Sequence, residues 1–128
     1  MPVQKHSRQR DAILEELCSR CDHPTAEELY FSLKKSLPSL SLGTVYRNLN
    51  MLADDGVILK IEGGSSDRFD GNSKNHYHFR CTDCGKVSDV PMALIEGIEQ
   101  QAQNFADGSV MSHQIVFSGV CSECQQIK

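Results

Sequence analysis

Six cysteines stand in the chain, and all fall in Cys-x-x-Cys pairs: Cys18/Cys21, Cys81/Cys84 and Cys121/Cys124. A two-residue gap lets both thiolates of one knuckle bite a single ion. Two knuckles complete a tetrahedral sulfur shell that suits Zn²⁺. The second and third pairs are separated by the 36 residues from 85 to 120, and Gly85 follows Cys84 where a tight turn is needed. Cys81, Cys84, Cys121 and Cys124 are therefore expected to hold a structural zinc, since four protein ligands leave no open position for water or substrate. The competing reading is free buried thiols or redox pairs. Cys18 and Cys21 read as small buried hydrophobes, with a redox or auxiliary metal role as the alternative.

His76-x-His78 is the second constellation, with Asp70 upstream and Asp89 downstream. On a strand, residues two apart share one face, so both imidazoles can turn to one ion. Carboxylates from Asp70 and Asp89 would complete a nitrogen and oxygen shell suited to Fe²⁺, Mn²⁺ or Zn²⁺. His-x-His pairs are also common on exposed strands. His23, just before Pro24, reads on its own as a loop histidine.

Helices and short strands must position these groups. Ile13, Leu14 and Leu17 recur at helical spacing between Ser7 and Leu17. Thr25-Ala26-Glu27-Glu28 is a capping box that opens a second helix, with Ala26, Leu29, Tyr30, Leu33 and Leu37 inward and Pro38 at its end. A third runs from Ser41 to Gly56 with Val45, Leu49 and Leu52 on one face. Val57–Ile61, the Gly63-Gly64 turn and Asp67-Arg68-Phe69 then form a hairpin. Three helices and a hairpin spell a winged helix-turn-helix. Beyond Asp70 the pattern changes to a strand at His76–Arg80, a partner at Lys86–Val90, a helix from Met92 to Phe105 with Leu94, Ile95, Ile98 and Ala102 inward, and a strand at Ile115–Phe117. The expected fold is α+β: a winged-helix domain at 1–72 and a small α/β metal-binding domain at 73–128.

The chain is 128 residues long, 39% hydrophobic and 23% charged, which excludes a large catalytic scaffold. No run approaches the ~20 apolar residues of a membrane span, and the first residues lack a signal peptide's apolar stretch, so a cytoplasmic location is expected. Net charge is −4, which argues against coating nucleic acid by bulk electrostatics. Residues 1–60 hold eight basic and eight acidic side chains, and residues 61–128 five and nine. The acidity lies in the C-terminal half, and a focused reader of DNA stays compatible with it.

His23-Pro24-Thr25-Ala26-Glu27-Glu28-Leu29-Tyr30, Thr44-Val45-Tyr46-Arg47-Asn48-Leu49, Arg68-Phe69-Asp70, His76-Tyr77-His78 and Cys81-x-x-Cys84-Gly85-Lys86 together resemble the ferric uptake regulator family, in the family's order and over nearly the whole chain. The resemblance implies a dimeric, metal-dependent transcriptional repressor. It assigns the two C-terminal cysteine pairs to structural zinc, and His23, Asp70, His76, His78 and Asp89 to a regulatory Fe²⁺ or Mn²⁺ that bridges the domains. Two aspartates with a plain His-x-His are similar to the peroxide-sensing members, in which iron-catalysed oxidation of a ligand histidine, here His23 or His76, ends repression. His113, with Glu96, resembles part of a further metal site.

The Ser41–Asp55 helix would enter the major groove of a palindromic, AT-rich operator. There Arg47 can read guanine, Asn48 adenine, and Tyr46 a thymine methyl or a phosphate, with Thr44 on the same face. Lys60 and Arg68 on the wing and Arg8 and Arg10 near the first helix would hold phosphates. The rival reading within the family is a sensor of iron, manganese or zinc availability without oxidation chemistry. A metallohydrolase built on His76, His78 and Asp70 lacks an arguable general base, and a thiol oxidoreductase lacks a Cys-x-x-Cys that opens a helix after a strand. No enzyme is expected.

Overall fold

The computed structural model describes residues 5–64 and 66–127. Helices α1 (Lys5–Cys18), α2 (Ala26–Leu33) and α3 (Leu42–Asp54) pack around Ile13, Leu17, Leu29, Val45, Leu49 and Phe69. Thr25 closes the capping box as expected: its hydroxyl accepts from the Glu28 N–H while its own N–H donates to the Glu28 carboxylate. Ser41 caps α3 by accepting from the Thr44 N–H. Strands β1 (Leu59–Ile61) and β2 (Arg68–Asp70) form the antiparallel wing, with Leu59 opposite Asp70 and Ile61 opposite Arg68. Phe69 carries the wing into the helical core, and a bridge between Thr25 and Arg68 ties β2 to the start of α2.

A second sheet has the order β4-β3-β5, with β3 at Tyr77–Cys81, β4 at Val87–Val90 and β5 at Val116–Gly119. β3 pairs antiparallel with β4 and parallel with β5. The antiparallel register sets His78 directly opposite Asp89. The parallel register brings Cys81 beside Gly119, two residues before Cys121. Both constellations are thus built on β3.

Two expectations need correction. The helix expected over 92–105 is only α4, Ile98–Gln103, and it buries no residue. Gly97 precedes it with φ 81, a left-handed conformation that breaks helical continuity, and the Ile95 N–H donates to the Tyr77 hydroxyl rather than to a helical carbonyl. Leu94 and Ile95, expected inward, are exposed. The second helix stops at Leu33, although Leu37 still packs against the core before Pro38. A terminal helix, α5 (Ser122–Ile127), carries Cys124 and was not expected from the pattern.

Candidate metal centres

Cys81, Cys84, Cys121 and Cys124 converge with all four Sγ atoms within 4.8 Å of one another. Cys84 and Cys121 are 3.9 Å apart. Tetrahedral Zn–S bonds of about 2.3 Å require neighbouring sulfurs about 3.8 Å apart, so the cage has the size of that ion. The knuckle turns aim backbone N–H groups at Cys81 Sγ, from Cys121 at 3.3 Å and from Cys84 at 3.4 Å. These donors favour the thiolate and pull the Cys81 thiol down to about 6. Cys124 moves the other way, pushed up by the Cys121 thiol beside it and by burial. Four thiols this close cannot all ionise without a cation, and the chemistry of the donor set is that of a soft, four-coordinate ion.

His23, Asp70, His76, His78 and Asp89 form a second cluster, again within 4.8 Å. His23 arrives from the loop between α1 and α2, Asp70 ends β2, His76 immediately precedes β3 and His78 lies on it, and Asp89 lies on β4. All three imidazoles present Nε2. His23 Nε2 is 2.8 Å from Asp89 Oδ1 and 3.1 Å from Asp70 Oδ2. His76 Nε2 is 2.9 Å from each carboxylate, and His78 Nε2 is 3.2 Å from Asp70. Ligands at right angles around an ion with bonds of about 2.1 Å lie about 3 Å apart, which these distances match.

The tautomer of His76 points to a cation between the ligands. Its Nδ1 lies 2.6 Å from the Lys74 carbonyl, which can only accept, so Nδ1 carries the proton. A neutral His76 then turns the lone pair of Nε2 toward two carboxylates. A cation, either a proton on the ring or a metal ion, reconciles that arrangement. The fixed Nδ1–H is the outer hydrogen bond that orients a metal-binding histidine. Burial opposes charge on His23 and His76. For His23 the hydrogen bonds to Asp70 and Asp89 outweigh it, and for His76 the Lys74 carbonyl and the two carboxylates do, so both are held above the usual 6.5. Burial opposes charge on Asp70 too, but hydrogen bonds from His23 and His78 hold its carboxyl far below its ordinary value.

The two clusters differ in access. His23 and His78 are each 4% exposed, while a cleft of about 440 Å³ lined by Ile58, Lys60, Ile61, His76, His78 and Val116 opens the cluster from one side. His23 sits with φ 51, a left-handed conformation that a residue before proline rarely adopts and that costs roughly 1–3 kcal/mol. Arg68 fixes it there, donating from Nη1 to the His23 carbonyl at 3.2 Å and to Glu28 at 3.3 Å. Arg68, expected to hold phosphate, thus also positions a ligand loop, a role that its place in the wing did not announce.

The remaining expected groups are distributed as follows. Arg8, Arg10 and Arg47 are exposed, and Arg47 Nη2 donates to the Thr44 hydroxyl. Asn48 donates to the Thr44 carbonyl, Tyr46 packs partly against the helical core, and Lys60 lies 3.7 Å from both Glu62 and Asp67. Cys18 and Cys21 are exposed rather than buried. Among the described residues, His113 forms no metal-sized cluster with Glu96. The Tyr77 hydroxyl, which accepts from the Ile95 N–H, donates to His113 Nε2 at 2.7 Å, and His113 Nδ1 donates to Glu99 at 3.1 Å.

Residues 3–118 match the model of the ferric uptake regulator family. The peroxide-responsive repressor PerR of Staphylococcus aureus is 43% identical over 118 residues, covering 91% of this chain and 80% of that protein. The ferric uptake regulator Fur of Helicobacter pylori superposes with a TM-score of 0.77 at 28% identity, over 93% of this chain and 81% of that one. The Campylobacter jejuni peroxide stress regulator gives 0.77 at 31% identity, over 94% and 91%.

Proposed function

Because the chain belongs to the ferric uptake regulator family, we propose that it is a metal-dependent transcriptional repressor released by hydrogen peroxide. The observation that carries this is the convergence of three Nε2 atoms and two carboxylate oxygens drawn from both sides of residue 72, where we divide a winged-helix domain (1–72) from a metal-binding domain (73–128). His23 belongs to the DNA-binding half, so its ligation ties the placing of α3 to the ion. Cys81, Cys84, Cys121 and Cys124 hold structural Zn²⁺, and His23, Asp70, His76, His78 and Asp89 hold Fe²⁺ or Mn²⁺.

Loading the second cluster selects one arrangement of the two halves from an ensemble. In that arrangement α3 presents Arg47, with Thr44, Tyr46 and Asn48, to the major groove of a palindromic AT-rich operator, while Arg8, Arg10 and Lys60 approach phosphates. A homodimer fits a palindrome, and Leu94, Ile95, Phe105, Met111 and Phe117 of the second half are large apolar side chains left exposed for it to cover. When bound, Fe²⁺ would supply the reaction with hydrogen peroxide, in which the O–O bond breaks, one oxygen enters a ligand imidazole C–H bond and the other leaves as water. His76 stands at the cleft and His23 behind it, and either oxidised ring loses its place in the shell, so the two halves part. No helix among the described residues is long and apolar enough to cross a membrane, which fits a cytoplasmic site of action.

The test loads the protein anaerobically with Fe²⁺ or Mn²⁺, adds hydrogen peroxide, and follows binding to a duplex selected from a random-sequence pool together with peptide mass spectrometry. One added oxygen on the His23 or His76 peptide, with loss of DNA binding in the iron form alone, is expected. Unmodified histidines with intact DNA binding overturn peroxide release and leave a sensor of metal availability.

A further inference from the structure

The two halves touch at a second place that involves no metal ligand. Arg80, on β3, sends its guanidinium across to the wing, donating from Nη1 to the Glu62 carbonyl at 2.9 Å and from Nη2 to the Ile61 carbonyl at 3.3 Å. No carboxylate lies within ion-pair distance of Arg80 among the described residues, so wing backbone carbonyls are the partners of this charge. The turn is shaped to receive it. Gly63 and Gly64 have φ 116 and 65, a Cβ on Gly63 would overlap Arg80 Nη1, and one on Gly64 would stand 3.3 Å from Nε. Two glycines at the wing turn thus leave room for the guanidinium fork, which reaches two successive carbonyls as a lysine cannot.

We propose that Arg80 is a positioning residue, a metal-independent clasp between wing and metal-binding domain that biases the two halves toward the arrangement the regulatory ion completes. The inference rests on the reading of the His23 cluster as a cation site joining the two halves. Clasp and ion hold the same two bodies together, so each strengthens the other. An ion binding to a chain whose halves are already held close spends less affinity on closing them, and the coupling is reciprocal. Arg80 ligates nothing, yet its removal weakens the metal site.

Mn²⁺ binding to the full-length, zinc-loaded protein tests this, with free Mn²⁺ counted by electron paramagnetic resonance. Arg80→Met is expected to weaken Mn²⁺ binding about tenfold, and Arg80→Lys, able to reach one carbonyl, about threefold. Zinc content and the unfolding midpoint of the manganese-free protein are measured alongside. A lowered midpoint with Mn²⁺ affinity within twofold of the unmutated protein in both variants overturns the clasp and leaves a purely structural arginine. Should Arg80→Met fail to fold, Arg80→Lys decides alone: a threefold loss supports the clasp and an unchanged affinity overturns it. An unmutated protein that takes up no Mn²⁺ overturns the metal reading and the clasp with it, a result distinct from unchanged variants of a protein that does bind.

Discussion

Strand β3 carries ligands to two clusters of opposite character. At its C-terminal end, Cys81 meets three other sulfurs in a closed cage fixed by backbone N–H groups and by chain that stays within one half of the molecule. Toward its start, His76 and His78 meet oxygen and nitrogen ligands that include His23 and Asp70 from the other half. Softness and closure make the first a fold element, because four thiolates deliver zinc-binding free energy directly to folding. Mixed ligands, a cleft and a strained loop suit the second to the reporter role proposed for it. The difference teaches that what matters for regulation is not ligand number but whose backbone the ligands ride on.

The largest expected effect breaks the first cluster. Cys81→Ser removes the thiol that receives both knuckle N–H groups, and a structural zinc is worth roughly 10–16 kcal/mol in small zinc-dependent folds. Native mass spectrometry is expected to show no retained zinc, and circular dichroism a lost C-terminal sheet. A folded variant contradicts the staple.

Acidity should act next, and on the second cluster selectively. His23 and His76 are held above 6.5, and their rings must be deprotonated to ligate, so Mn²⁺ affinity is expected to fall as pH drops through that raised range, by about tenfold per unit for each proton displaced. Without metal the signs reverse. The raised histidines stabilise the fold below 6.5 and lose that contribution as pH rises through their folded values, while Asp70 contributes above 3.8 and loses it as pH falls. The thermal-unfolding midpoint of the manganese-free protein should therefore be highest between about pH 4 and 6.5, and Mn²⁺ should move that optimum upward.

The smallest effect separates the two carboxylates. Asp70 is 12% exposed and Asp89 52%, so Asp89→Asn is expected to weaken Mn²⁺ binding about tenfold and Asp70→Asn more, since its lost charge is less replaceable by water. Equal losses measured by titration would show that burial does not rank them.

Legibility in the sequence followed the same divide. Cysteine spacing announces a cage because both knuckles are local turns, and His76-x-His78 announces a shared face because a strand alternates. His23 carried no such signal. Its placement needs a left-handed residue before proline and the long-range bond from Arg68, and only the family resemblance singled it out. The helix expected over 92–105 failed for a related reason. Leu94, Ile95, Ile98 and Ala102 keep helical spacing, but Gly97 turns left-handed and Tyr77 takes the Ile95 N–H. Arg68 reads as a phosphate contact on the wing and Arg80 only as a strand residue, and the carbonyls they hold come from distant segments. Contacts between distant segments leave no periodic trace.

The central claim is that one chain keeps a permanent ion in the sulfur cage and an exchangeable one in the cluster that joins its halves. Dialysis of the zinc- and manganese-loaded protein against EDTA, followed by native mass spectrometry and by binding to a duplex selected with the loaded protein, tests it most directly. The account predicts one retained zinc per chain, no manganese, lost DNA binding, and recovery when Mn²⁺ is returned. DNA binding that survives removal of manganese would contradict it.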